Sequence, residues 1–341
     1  MIIDGTLPEA IAIAVRALQA GALVGLPTET VYGLGADAAN PQAVAKIFAA
    51  KGRPSDHPLI VHVADAAGVT HFAAQVPDFA QRLIQAFWPG PVTLILPRLP
   101  NVGAAAAGGQ NSIGLRCPSH PVAQALLQAL RSLPHPVWGI AAPSANQFGR
   151  VSPTSALHVE SEFGADLLIL DGGACEIGIE STIIDCTRGA PVLLRPGNLT
   201  RDALSAACGQ KVLLKEELAA GEPAAPRASG TLESHYAPVA RVRLMNAGAL
   251  QTALDLVGAD VDGKNGGKPV IATWSRAILK SRSSTILRRR MPDDASAAAQ
   301  QLFAVLREFD ATGVKLIWIE TLPETPEWEG VRDRLQRAAA T

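Results

Sequence analysis

Short apolar runs recur through the first two thirds of the chain, and this pattern limits the fold more than any other feature. They are PLIVHV (58–63), VTLILP (92–97), SIGLRCP (112–118), VWGIAAPSAN (137–146), DLLILDGG (166–173), STIIDCT (181–187) and PVLLRPG (191–197). Runs of this length, rich in Val, Ile and Leu and bounded by turn residues, read as buried strands. Helical stretches fall among and before them, over 8–20, 41–50, 78–87, 120–131 and 154–163. Pro8 and Pro41 suit first-turn positions, and Gly21 suits a helix stop. Strands interleaved with helices give a mixed α/β domain with α+β character. Aromatic residues make up only 4% of the chain, so its core must be built from Ala, Val, Leu and Ile.

The 341 residues suffice for two domains. Beyond about residue 209 the composition shifts, and KEELAAGEPAAPRASGTLESHYAPVA (215–240) has no steady period. It reads as a long linker, and a stretch of this length is either disordered or functional. From 240 onward, VRLM, PVIATW and VKLIWIE alternate with helices near 248–257, 294–310 and 328–340, a small parallel α/β domain. The expected division is 1–209, a linker at 210–239, and 240–341.

Net charge is −1, which removes a globally basic nucleic-acid footprint. Arg288, Arg289 and Arg290 form one local run, ordinarily a solvated face. Cys117, Cys175, Cys186 and Cys208 make no CxxC pair, so neither a zinc site nor a disulfide framework is expected. The N-terminal residues are not a signal peptide and no apolar run reaches membrane-span length, so a cytoplasmic protein without membrane contact is expected.

Five segments could carry chemistry. Pro27–Gly35 (PTETVYGLG) gathers hydroxyls for a small polar ligand and glycines that would let it approach the backbone. Lys51–Leu59 (KGRPSDHPL) offers an ammonium and a guanidinium on a proline-stiffened loop, suited to phosphate. Ala142–Asn146 (APSAN) with Ser152–Thr154 supplies small hydrogen-bonding groups, and Gly178–Asp185 (GIESTIID) follows. Arg195, in LLRPG, could clamp a phosphate or carboxylate. No Walker A or GxGxxG pattern occurs. Ser144 as a hydrolase nucleophile lacks a GxSxG elbow.

Singly these segments are weak. In series, PTETVYGLGADA, KGRPSDHPLIVH, WPGPVTLIL, APSAN, SPT, GIESTIID and LLRPG closely resemble the YrdC-type family of threonylcarbamoyl-AMP synthases over about residues 7–205. SHYAP (234–238), followed by a small α/β domain, is similar to the longer two-domain branch. The resemblance implies a twisted mixed sheet with surrounding helices and a concave cavity, plus a smaller Rossmann-like C-terminal domain. It implies synthesis of threonylcarbamoyl-AMP and pyrophosphate from L-threonine, bicarbonate and ATP. The product would pass to a tRNA threonylcarbamoyl-transfer enzyme system.

By the same resemblance, threonine contacts Thr30, Tyr32, His62, Arg116, Ala142 and Ser181, with Arg116 facing its carboxylate. ATP contacts Lys51, Arg53, His57, Ser112, Ser144, Asn146, Ser152, Arg195 and Tyr236, of which Lys51, Arg53 and Arg195 are the catalytic cations. No protein metal site is implied, and Mg²⁺ rides on the ATP phosphates. His57 stands where the family pattern commonly has Asn. The linker is expected to fold over the cavity and to order on ligand binding. The alternatives are an RNA-binding module without catalysis and the related domain of hydrogenase-maturation proteins. A weak tRNA contact would rest on the 288–290 arginines alone.

Overall fold

The computed structural model describes residues 1–218, 225–231, 235–258, 261–262 and 267–340. Residues 219–224 and 232–234 of the expected linker, Ser234 among them, lie outside the described residues. The chain divides into two compact units, Met1–Phe148 with Ser152–Thr231, and Gly149–Val151 with Leu232–Thr341.

The strands of the first unit are β1 (Ile2–Asp4), β2 (Val24–Leu26), β3 (Gly33–Asp37), β4 (Ile60–His62), β5 (Val92–Pro97), β6 (Ser112–Arg116), β7 (Ile140–Ala141), β8 (Leu168–Asp171), β9 (Thr182–Asp185), β10 (Val192–Arg195) and β11 (Leu213–Leu214). They form one mixed sheet in the order β1-β8-β2-β3-β7-β4-β6-β5-β9-β10-β11. The helices of this unit are α1 (Pro8–Gln19), α2 (Pro41–Lys51), α3 (Ala67–Phe72), α4 (Asp78–Phe87), α5 (Pro121–Arg131), α6 (Ala156–Phe163) and α7 (Arg201–Cys208).

Sequence explains their placement. In α1, Ala10, Ala14, Val15 and Leu18 are buried at helical spacing, and they pack with Val122, Leu126 and Leu130 of α5. Asn40 caps α2 by accepting from the amides of Gln42 and Ala43, and Gly52 ends it in the left-handed region. That left-handed turn sends Arg53 back toward the sheet.

Elements near the site differ from the sequence reading. VWGIAAPSAN forms a strand only at Ile140 and Ala141, and then continues as a loop with an isolated bridge from Ser144 to Gly33. The Gly-rich segment after Tyr32 is a strand, β3, whose glycines serve packing. A Cβ on Gly35 would come within 2.8 Å of Ile140 and Leu26, and one on Gly33 within 3.2 Å of Ala142. These glycines let the strands close up.

The second unit holds a parallel sheet of β12 (Arg241–Met245), β13 (Ile271–Ser275), β14 (Leu287–Arg290) and β15 (Leu316–Glu320), in the order β12-β15-β13-β14. Its helices are α8 (Ala247–Val257), α9 (Ala295–Ala311) and α10 (Glu329–Ala339). The arginine run is β14 itself. Arg289 pairs with Glu308, Arg290 with Asp293 at 2.9 Å, and Arg288 donates to the Leu279 carbonyl at 3.3 Å. Among the described residues, no helix is long and apolar enough to cross a membrane.

Candidate active site

Strand register builds the site. β4 and β6 are parallel and in register, so His62 and Arg116, at their ends, stand side by side. β9 and β10 are antiparallel, which brings Arg195 opposite Ile183 and next to Ser181. Ile60, Gly114, Thr93 and Ile183 are cross-strand neighbours that floor a cavity shared with Ser112. Arg227, Ala228 and Ser229, from the described part of the linker, line its other side.

One cluster surrounds Arg116. Its Nη1 donates to Thr30 Oγ1 at 2.8 Å, its Nε to the Gly90 carbonyl at 3.2 Å, and its Nη2 lies 2.7 Å from Glu29 Oε1. The loop that presents Thr30 is held by Thr28, whose hydroxyl accepts from the amides of Thr30 and Val31 and donates to the Val31 carbonyl. His62 is buried, and burial together with the nearby Arg116 charge holds its pKa well below the usual value. It is therefore a neutral imidazole. Tyr32 is fully buried, and its hydroxyl donates to the Gly173 carbonyl at 2.7 Å and accepts from the Gly172 amide at 3.1 Å. Tyr32 anchors the 171–173 turn, so its part in the cluster is to support the loop. Ala142 sits at the end of β7, its amide bonded to the Ile60 carbonyl.

A second cluster is cationic. Lys51 Nζ donates to the carbonyls of Ser144 (2.6 Å) and Asn146, tying the KGRPS loop to the APSAN loop. Burial, aided by Arg53, lowers the Lys51 pKa to about 7. Arg53 Nη2 donates to the Pro58 carbonyl at 2.9 Å and to Ser229 Oγ at 3.1 Å, and its guanidinium lies over Phe148. His57 meets the same Phe148 ring edge-on, and burial and Arg53 lower its pKa. Ser152 Oγ donates to Glu180.

Ser181 centres a third group with Thr93 and Arg195. Its hydroxyl lies 2.7 Å from Thr93 Oγ1 and accepts from Arg195 Nη2 at 3.2 Å, while Arg195 Nε bonds the Ser181 carbonyl at 3.0 Å. Arg195 Nη1 donates to the Ser229 carbonyl at 2.9 Å. Ser229 thus touches both Arg53 and Arg195. Sequence reasoning missed Glu29, Thr93, Glu180 and Ser229; buried carboxylates and hydroxyls inside the motifs were the available signal. Tyr236 belongs to the second unit, where its ring is buried against Phe303 and faces the Arg334 guanidinium at 5.3 Å. Among the described residues no group of three His, Cys, Asp or Glu could hold a metal ion.

Comparison with known proteins fits this geometry. Residues 16–197 match the Sua5–YciO–YrdC family model, described as "Telomere recombination", and residues 199–340 match "Threonylcarbamoyl-AMP synthase, C-terminal domain". The first unit, a mixed sheet carrying a set of buried cations, is thereby of the YrdC-type class. A threonylcarbamoyl-AMP synthase of Pyrococcus abyssi is 37% identical over 330 residues, 96% of this chain and 94% of that one. Its namesake in Bacillus subtilis is 37% identical over 333 residues, covering 96% and 92%. The crystal structure of P. abyssi Sua5 complexed with L-threonine superposes with a TM-score of 0.83 at 36% identity, covering 96% of this chain and 94% of that one. The chain belongs to the two-domain threonylcarbamoyl-AMP synthase family.

Proposed function

We propose that this enzyme makes threonylcarbamoyl-AMP from L-threonine, bicarbonate and ATP, releasing pyrophosphate, and that the product serves threonylcarbamoyladenosine modification of tRNA. One observation carries the reading: one sheet carries both a buried guanidinium fit for a carboxylate, Arg116 beside Thr30, and cations fit for phosphates, Arg53 and Arg195, bridged by Ser229. Threonine binds at Thr30, His62, Arg116 and Ser181. ATP binds along Lys51, Arg53, Ser144, Asn146, Ser152 and Arg195. The threonine amine takes up CO2 from bicarbonate, with loss of water, to give a carbamate. A carbamate oxygen then attacks the α-phosphorus, and the bond to the β,γ-diphosphate breaks.

Two anions must meet in that step, so fixed positive charge and positioning supply the catalysis. Neutral His62 suits a binding role. The cationic lining fits Mg²⁺ carried in on the phosphates better than Mg²⁺ held by a carboxylate cage. When bound, the ion neutralises part of the triphosphate charge. Product passes to a downstream threonylcarbamoyl-transfer system in the cytoplasm.

The test is pyrophosphate release from ATP, Mg²⁺, bicarbonate and each amino acid in turn. The expected signal requires both L-threonine and bicarbonate; release that ignores either one refutes the assignment.

The linker serves as a lid over this site. In support, Ser229 bonds Arg53 and Arg195, and Arg227 pairs with Asp56. A non-hydrolysable ATP analogue with threonine is expected to slow amide hydrogen exchange across residues 225–231 by at least ~tenfold, as ordering of a weakly held segment does. Identical exchange with and without ligand would remove the lid.

A further inference from the structure

Glu29 is a carboxylate 3% exposed, placed in a site that must gather anions. A buried carboxylate is costly unless paired, and the form of this pairing is informative. Glu29 Oε2 accepts from the Ser119 amide at 3.1 Å. Glu29 Oε1 lies 2.7 Å from Arg116 Nη2, yet the two are not aligned as donor and acceptor, and both atoms remain buried without a hydrogen-bond partner. His62 Nδ1, on the adjacent strand in register with Arg116, is a third such atom. One acceptor and one donor, in ionic contact but each without a hydrogen bond, match a group that donates at one end and accepts at the other. An α-amino acid is such a group, because its ammonium and carboxylate sit on one carbon.

Charge agrees. Glu29 offsets Arg116, and His62 is neutral. The pocket around the pair is therefore close to neutral, as a zwitterion requires, whereas Arg116 alone would favour any carboxylate.

We propose that Glu29 is a further residue of the amino-acid site. Its Oε1 accepts from the substrate α-amino group while Arg116 Nη2 donates to the substrate carboxylate, and the contact between the two side chains keeps both turned toward one ligand. Glu29 is then what separates an amino acid from a carboxylic acid of the same shape. The nitrogen retains one N–H as a carbamate, so the contact persists after carboxylation. This inference rests on the synthase reading and adds the group that recognises the amine.

The experiment compares binding of L-threonine, of 3-hydroxybutanoate (threonine without its amine) and of ATP by the unaltered chain, Glu29→Gln and Glu29→Asp, using calorimetry. The unaltered chain is expected to prefer threonine to hydroxybutanoate by ~100-fold or more, since a site built for a polar group strongly rejects the analogue lacking it. Glu29→Gln is expected to lose most of that ratio through weaker threonine binding, with ATP binding unchanged. Glu29→Asp keeps the charge and is expected to recover part of the ratio; should Glu29→Gln fail to fold, a reduced ratio in Glu29→Asp carries the result. An unchanged ratio in a folded variant, or equal weakening of all three ligands, overturns the proposal. No threonine binding by the unaltered chain overturns the synthase reading itself, and this inference with it.

Discussion

Arg195→Ala is expected to lower the rate of pyrophosphate release by about 10²–10³, the scale seen when one preorganised donor is removed from a site of developing negative charge. Arg195 is 3% exposed and held at three points, by Ser181 Oγ, the Ser181 carbonyl and the Ser229 carbonyl. Its charge is fixed before any substrate arrives, so little reorganisation is needed when phosphate charge shifts toward the leaving diphosphate. The substitution also removes a partner of the Ser181 hydroxyl, which belongs to the proposed threonine site, so both substrates should feel the change. Arg195→Lys separates charge from shape. A lysine keeps the charge but cannot reproduce the planar fork, so it should recover only a small part of the rate. Activity of Arg195→Ala within tenfold of the unaltered enzyme would remove Arg195 from the catalytic set.

Lys51 should give the second large effect, and its signature is a pH dependence. The Lys51 pKa stands at about 7 against an ordinary 10.5 because burial disfavours the ammonium. Between those values the unfolded chain binds a proton that the folded chain lacks, so stability rises with pH. Buried thiols act oppositely: Cys117 is raised to about 11 and Cys175 to about 12, from 9.0. Above pH 9 the unfolded chain sheds those protons while the folded chain keeps them, and stability falls. Thermal melts are expected to show a maximum near pH 9, and Lys51→Met should flatten the limb between pH 7 and 9. Binding is coupled to the same proton. A triphosphate favours the charged amine, so ATP should take up about one proton at pH 8, and ATP affinity should decline as pH rises above 7. Calorimetry in two buffers of different ionisation enthalpy measures the uptake. Equal heats in both, or uptake undiminished in Lys51→Met, would show that Lys51 does not meet the nucleotide.

The strands that were legible in the sequence, such as Val92–Pro97 and Val192–Arg195, bury apolar side chains along their whole length. β3 escaped because its residues, GLGAD, carry little apolar periodicity, and its pairing depends on glycines that admit Ile140 and Leu26. β14 escaped because Arg288 and Arg290 face solvent at the edge of its sheet. In the site, the cations and small hydroxyls stood within recognisable segments. The partners that orient them did not. Glu29 reaches Arg116, and Ser229 reaches Arg53 176 residues away, only through the fold. Such pairings are properties of topology, and no local window of sequence contains them.

The three residues Gly149–Val151 belong to the second unit although the chain reaches them long before the rest of it. The Gly149 carbonyl accepts from the Ala237 amide, and the Val151 carbonyl from Arg307, 156 residues later. On a ribosome adding about 5–20 residues each second, this is a wait of roughly 8–30 s. Ser152, the next residue, donates to Glu180 within the first unit. A nascent chain can therefore form most of the first sheet early, while the segment leading into Ser152 gains its last partners only as synthesis nears its end.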